Sequence, residues 1–212
     1  MKNTILTFTP VLLAGALLTS CENPADKTAD AEVGEVQKEL EGSGTKFVFD
    51  DSSTIGFTGS KVTGSHDGGF KEFEGHFFLG DDGVPTAGEF VIETTSVWSD
   101  DEKLTGHLKG TDFFEVETYP TSTFKLTQAT QIGESGEGSY KISGNLTLHG
   151  VEKNITFPVT ATRDGETATF EAEFDINRKD FEINYAGKAD NLIRDEVVIR
   201  LDFKASKAAA LN

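Results

Sequence analysis

Thr169-Phe170-Glu171-Ala172-Glu173-Phe174-Asp175-Ile176 decides the fold, because polar and apolar side chains alternate along it with a period of two. Successive side chains of an extended chain point to opposite faces, so this stretch reads as a strand with one wet and one buried face. Val197, Ile199, Leu201 and Phe203 repeat the pattern against Glu196, Arg200, Asp202 and Lys204. Working outward, the same phase runs through Phe73, Phe77 and Leu79, through Phe90 and Ile92, and through Phe124 and Leu126. It continues in Tyr140, Ile142, Leu146 and Leu148, and in Ile155, Phe157, Val159 and Ala161. With Phe47/Phe49 and Ile55/Phe57, eight or nine strands result.

The connections carry turn chemistry: Asp81-Asp82-Gly83, Gly133 to Gly138, His149-Gly150 and Asp164-Gly165. Short turns of this kind join antiparallel neighbours. The exception is Ser99 to Phe114, where Asp100-Asp101-Glu102 can start a short helix carrying Leu104 and Leu108 towards Phe113-Phe114. A sheet of this size that hides one face without covering helices must curl on itself. The expected fold is all-β, an antiparallel eight-stranded or nine-stranded barrel with one helical insertion, a sandwich being the other solution. An eight-stranded barrel either fills itself with side chains or holds one small ligand, and periodicity leaves that choice open.

The N-terminus follows another logic. An apolar run from Ile5 to Leu18 leads into Leu18-Thr19-Ser20-Cys21, which holds the only cysteine of 212 residues. The run is too short to span a membrane and suits the h-region of a signal peptide. Apolar, small, small before Cys is the cleavage pattern of bacterial lipoproteins. Residues 1–20 therefore read as a lipoprotein signal peptide and Cys21 as the acylated anchor, more than one chain being needed for stable attachment. Residues 21–44 read as a flexible tether with a transient helix from Ala31 to Glu41, residues 45–205 as the barrel domain, and residues 206–212 as a tail. The expected location is the bacterial cell envelope, facing the periplasm, and Glu22 after Cys21 leans towards the outer membrane.

The formal charge of −17 repels nucleic acid and offers no basic patch for it. No nucleophile elbow, HExxH, Walker loop or dinucleotide fingerprint occurs, so an enzyme is not expected. His66, His76, His107 and His149 stand singly, without the spacing of a metal site. The acids at 81–82 and 100–102 lack the alternating ligands of a calcium loop and read as solvated. Neither a metal nor a cofactor is expected.

Four motifs occur in the order and spacing of YceI-like domains: Gly69-Phe70-Lys71-Glu72-Phe73-Glu74-Gly75; Gly106-His107-Leu108-Lys109-Gly110-Thr111-Asp112-Phe113-Phe114 followed by Tyr119-Pro120; Gly144-Asn145-Leu146-Thr147-Leu148-His149-Gly150-Val151; and Ile176-Asn177-Arg178-Lys179-Asp180-Phe181. From about residue 45 to 205 the chain resembles that family. The resemblance implies a lipocalin-like barrel, exported, with a long continuous tunnel for an amphiphile: a polyisoprenoid, an isoprenoid quinone or a fatty-acid derivative. Glu182 departs from it, since the family often places glycine there.

Phase and position then nominate the tunnel lining: Phe57, Phe73, Phe77, Phe90, Trp98, Leu108, Phe113, Phe114, Phe124, Phe157 and Phe174. Such rings would replace water around an acyl or polyprenyl tail at about 0.8 kcal/mol per buried methylene. Tyr140, Asn145 and Arg178 are nominated for a polar head, with Arg178 equally suited to pairing Asp180 or an acid on a neighbouring strand. The competing reading is a filled barrel, an envelope lipoprotein that binds an unknown protein partner through its acidic surface.

Overall fold

The computed structural model describes residues 22–132, 138–188 and 191–209, with Asn191 described by its backbone alone. The expected signal peptide and anchor at Cys21, the end of the tail and most of the Gly133–Gly138 turn lie outside the described residues. Fourteen strands follow in chain order: β1 (Ala29–Asp30), β2 (Glu32–Gly34), β3 (Thr45–Phe49), β4 (Thr54–Lys61), β5 (Gly64–Phe70), β6 (Phe73–Leu79), β7 (Pro85–Glu93) and β8 (Val97–Ser99) precede helix α1 (Glu102–Leu108). After it come β9 (Thr121–Gln131), β10 (Ser139–Leu148), β11 (Val151–Asp164), β12 (Thr167–Asn177), β13 (Gly187–Lys188) and β14 (Asn191–Lys207).

These reduce to eight barrel positions. β3 and β4 are halves of one strand lying along the same edge of β14, interrupted at residues 50–53. β5 and β6 are halves of the next strand, and β8 and β7 of the third, so that β4 pairs with β5 and β3 with β6, β5 with β8 and β6 with β7. From β7 the order runs β9, β10, β11, β12 and β14, each antiparallel to the last, and β14 returns to β3 and β4. Every barrel neighbour is also a neighbour in sequence except the closing pair. The result is a closed, eight-position antiparallel barrel without free edges in its ring. Its interior is lined by the in-phase side chains, including Phe90, Phe124, Phe157, Phe174, Leu201 and Phe203.

Residues 22–44 differ from the expected free tether. They form a belt across the outside of the barrel, with no helix at Ala31 to Glu41. β11 and β12 pair only between Thr160–Asp164 and Thr167–Glu171; beyond that their edges part. β1 lies parallel to β12 beside Phe174 and Asp175, and β2 lies antiparallel to β11 beside Asn154–Thr156, so the belt occupies both freed edges. Further on, Gln37 N–H donates to Asn145 Oδ1 (3.0 Å), Asn145 Nδ2 donates to the Gln37 carbonyl (2.7 Å), and Leu40 N–H donates to the Leu126 carbonyl (3.0 Å). Backbone groups hold the belt, and backbone pairing needs no apolar period. Val33, Val36 and Leu40 accordingly stay exposed.

The belt starts at a single 3-10 turn, Pro24–Lys27, capped by Asn23. Ser60 Oγ donates to Asn23 Oδ1 (3.4 Å), and Thr28 Oγ1 donates to Asp175 Oδ2 (2.7 Å). Asp175 is buried, and that burial, with Asp30 and Glu196 close by, raises its carboxyl above the ordinary range despite the Thr28 hydrogen bond. An acid whose folded-state value is raised holds its proton longer than the unfolded chain does. Its contribution is therefore most favourable in acid and is lost as pH rises from the ordinary carboxylate value through the raised one. Asp175→Asn is expected to stabilise the protein at neutral pH and to flatten the stability profile in that window, as read from urea midpoints between pH 4 and 8.

Candidate ligand-binding chamber

Two apolar chambers lie inside the barrel. The larger, about 160 Å³, sits at the end carrying α1 and is walled by Ile55, Phe57, Ile155, Phe174, Ile176 and Ile199 among others. The smaller, about 80 Å³, sits towards the opposite end among Phe77, Pro85, Val159 and Phe170. Phe90, Phe124, Phe157 and Leu201 line both and stand between them. The partition is a run of rings: Phe90 stacks on Phe124 (5.0 Å between centroids), Phe124 tilts against Phe157 (5.7 Å), and Phe157 stacks on Phe174 (4.0 Å). A Cβ at residue 144 would fall 2.1 Å from the Phe124 ring, so Gly144 supplies the space that ring occupies. Instead of the expected continuous tunnel, the interior has two compartments and an aromatic wall.

Of the nominated lining residues, Phe57, Phe90, Leu108, Phe113, Phe114, Phe124, Phe157 and Phe174 surround the large chamber, and Phe77 the small one. Phe73 packs on the core edge near Phe203 but borders an outer groove. Trp98 is exposed, because its neighbour Val97 takes the inward position of β8. The polar trio is not brought together. Tyr140 is buried beyond the chambers, its hydroxyl 3.4 Å from the Gly83 carbonyl. Asn145 is out of phase with Leu146 and Leu148 and serves the belt, also accepting from Asn154 Nδ2 (2.9 Å). Only Arg178 borders the large chamber. The wall also takes the aliphatic side chains of Ile55, Ile92, Leu146, Ile183, Ile193 and Ile199, most of which carry the inward phase but look in sequence like ordinary packing.

The floor of the large chamber is built from the family-like motifs, which converge on one end of the barrel. α1 is capped by Asp101, whose Oδ1 accepts from Leu104 N–H (2.8 Å), and it delivers Leu108 and then Phe113 and Phe114 inward. Phe114, Phe57 and Phe70 form a ring cluster with 5.4–6.3 Å centroid spacings. His149 joins two segments: its Nδ1 lies 3.2 Å from the Phe181 carbonyl and its Nε2 lies 3.7 Å from Glu115. Tyr119 packs on the His149 ring at 4.8 Å. Arg178, 4% exposed, donates to the carbonyls of Ile183 and Arg194 and pairs with Asp195 (3.0 Å), which settles its partner as an acid of β14 rather than Asp180. Burial lowers its guanidinium below the ordinary value, opposed by Asp195 and Glu196.

Arg178→Lys keeps the charge but loses the planar fork that reaches both carbonyls. It is expected to cost roughly 1–3 kcal/mol, read from the urea midpoint, as buried acceptors lose their donor. Glu182 stands in the left-handed region at φ 59, where a side chain is disfavoured and a glycine would be at ease, as the family resemblance implies for this position. Glu182→Gly is expected to stabilise the fold by roughly 0.5–1 kcal/mol, as a higher midpoint at unchanged slope.

The chamber offers shape and apolar contact. Among the described residues no three His, Cys, Asp or Glu side chains converge as a metal site, and no helix is long and apolar enough to cross a membrane.

Comparison with known proteins agrees with this architecture. A UPF0312 protein of Pseudomonas putida (strain W619) is 34% identical over 128 residues, 57% of this chain and 65% of that one. A UPF0312 protein of Yersinia pestis (strain Pestoides F) is 37% identical over 124 residues, 55% of this chain and 62% of that one. The chain thus spans somewhat under two thirds of these relatives. The crystal structure of BcnA from Burkholderia cenocepacia superposes with a TM-score of 0.67 at 24% identity, covering 74% of this chain and 99% of that one. A polyisoprenoid binding domain from Saccharophagus degradans, implicated in plant cell wall breakdown, superposes at 0.63 and 18% identity, over 78% of this chain and all of that one. Both likenesses establish the barrel fold. The family model of the YceI-like domain matches residues 47–205, and the chain belongs to that family.

Proposed function

We propose that this is an exported binding protein, anchored through acyl chains on Cys21, whose barrel holds the tail of an extended amphiphile for transport or storage. A polyisoprenoid, an isoprenoid quinone or a fatty-acid derivative fits the chemistry, and no catalytic step is involved. The observation that carries the reading is the large chamber, whose accessible wall is apolar. A dry apolar cavity of about 150 Å³ takes a benzene-sized group, so this chamber takes one ring or one branched five-carbon unit as it stands. The wall of Phe90, Phe124 and Phe157 ends the large chamber and limits how much of a longer tail it takes in. The polyisoprenoid-binding domain with the same fold favours a prenyl tail over a straight acyl chain. The proposed anchor puts the protein at the cell envelope facing the periplasm, and Glu22 after Cys21 favours the outer membrane over the inner.

Native mass spectrometry with organic extraction tests the reading on protein recovered from a bacterial periplasm. A stoichiometric adduct extracting as a prenyl or acyl lipid is the expected result. A protein that stays bare after incubation with isoprenoid quinones and fatty acids would sink it and leave the acidic surface as the functional feature.

A further inference from the structure

The belt is moored at the chamber end of the barrel. Asn23 is 9% exposed and hydrogen-bonded to Ser60, next to the last residue of β4, and Ala25 behind it is also buried. Glu22 alone lies between Asn23 and Cys21, and an extended chain covers at most about 7 Å over those two steps. An attachment point at Cys21 is thereby confined to the neighbourhood of Asn23, whose partner Ser60 stands just before the turn joining β4 to β5.

At that turn lies an unusual surface. Val62 (58% exposed) and Leu192 (50%) are the two most exposed large apolar side chains among the described residues. They are neighbours, the Val62 N–H donating to the Leu192 carbonyl at 3.3 Å. Lys61 precedes Val62, and Lys188 pairs in register with the residue before Leu192. Gly59 and Ile193, next to this pair along the chain, line the large chamber. Exposed acids stand at both ends, Asp81, Asp82, Asp164 and Glu166 at the far one and Asp101, Glu102, Asp112 and Glu117 around α1, so the apolar pair and not the charge tells the two ends apart.

We propose that Val62 and Leu192 dock the chamber end of the barrel onto the surface of the lipid bilayer, so that the large chamber faces the lipid from which its ligand comes. The inference rests on the Cys21 anchor proposed above. Anchoring raises the effective concentration of the patch at the surface, so two side chains suffice where a free protein would need a larger area. The net charge of −17 disfavours an unanchored approach to anionic headgroups and makes the anchor and the apolar pair act together.

The test uses the full acylated protein in vesicles of phosphatidylethanolamine and phosphatidylcholine carrying a headgroup-depth nitroxide lipid. Trp98 is the only tryptophan, so V62W and D82W are each made in a W98F background. The expected result is a blue-shifted V62W emission with strong nitroxide quenching, and a D82W emission that is neither shifted nor quenched. A purified protein without acyl mass removes the anchor and this proposal with it. Acylated protein in which the two positions are quenched alike, or neither is quenched, keeps the anchor and overturns the docked orientation alone. A V62W shift that grows with protein concentration and ignores the nitroxide marks contact between copies and also overturns it.

Discussion

Deletion of residues 22–44 is expected to lower stability by on the order of 5 kcal/mol and to make the barrel self-associate. The estimate follows from the belt's hydrogen bonds, each worth about 1 kcal/mol net, at Asp175, at Asn154–Thr156, at Asn145 and at Leu126. Their loss exposes two strand edges where β11 and β12 part, and unpaired edges recruit further strands. Asn145 and Asn154, buried now, would face water as a polar pair without the belt. Urea midpoints together with light scattering check both halves of the expectation. A truncated chain with the same midpoint and unchanged mass would show that the belt is a passenger. The matter is practical, because the family match begins at residue 47 and a chain trimmed to it discards the belt.

Phe124→Ala has the largest expected effect on binding. Its ring stands in the wall between the two chambers and fills the space left by Gly144. Truncation should cost about 3–5 kcal/mol of stability, the range for a buried Phe→Ala change. It should also join the chambers into one. In a fatty-acid length series the native protein is expected to stop gaining affinity once the large chamber is full. The variant should go on gaining about fourfold per added methylene. Phe124→Leu, which fills more of the gap, should behave between the two at a smaller stability cost. Identical length profiles for native and variant would mean that the ring already swings clear on binding.

The barrel was legible because its signal is repeated. Phe170, Ala172, Phe174 and Ile176 face inward as their alternation demands, and β14 answers them residue for residue. The belt was hidden for the converse reason. Its contacts are backbone bonds and scattered polar pairs such as Thr28–Asp175, Gln37–Asn145 and Glu32–Lys141, which leave no apolar period in the sequence. Composition alone reads such a segment as a spacer. Trp98 and Asn145 show a second limit: each sits one residue out of phase with Val97 and Leu146, and that parity shift moves a side chain from the inside of a barrel to the outside. The chamber wall was partly legible, since aromatic rings stand out in a sequence while Ile55, Ile92 and Ile199 look like ordinary packing. Its division into two depends on how Phe124 meets Gly144 across β9 and β10, a contact set by the register shift at Ser143/Gly144.

The closing pair of the barrel also sets the order in which the molecule can assemble. β3 reaches its partner only at Ala205–Lys207, near the end of the chain, while β12 waits for the same strand along its full length. Until those residues have been made and delivered, hairpins can form but no ring can, and β4 and β12 both offer bare edges. Folding is therefore a late, collective event with a high mean contact separation, which predicts slow closure on the scale of milliseconds to seconds. During that interval the chain depends on something other than its own structure to stay single, and a holding chaperone would have most to do just before the last strand arrives.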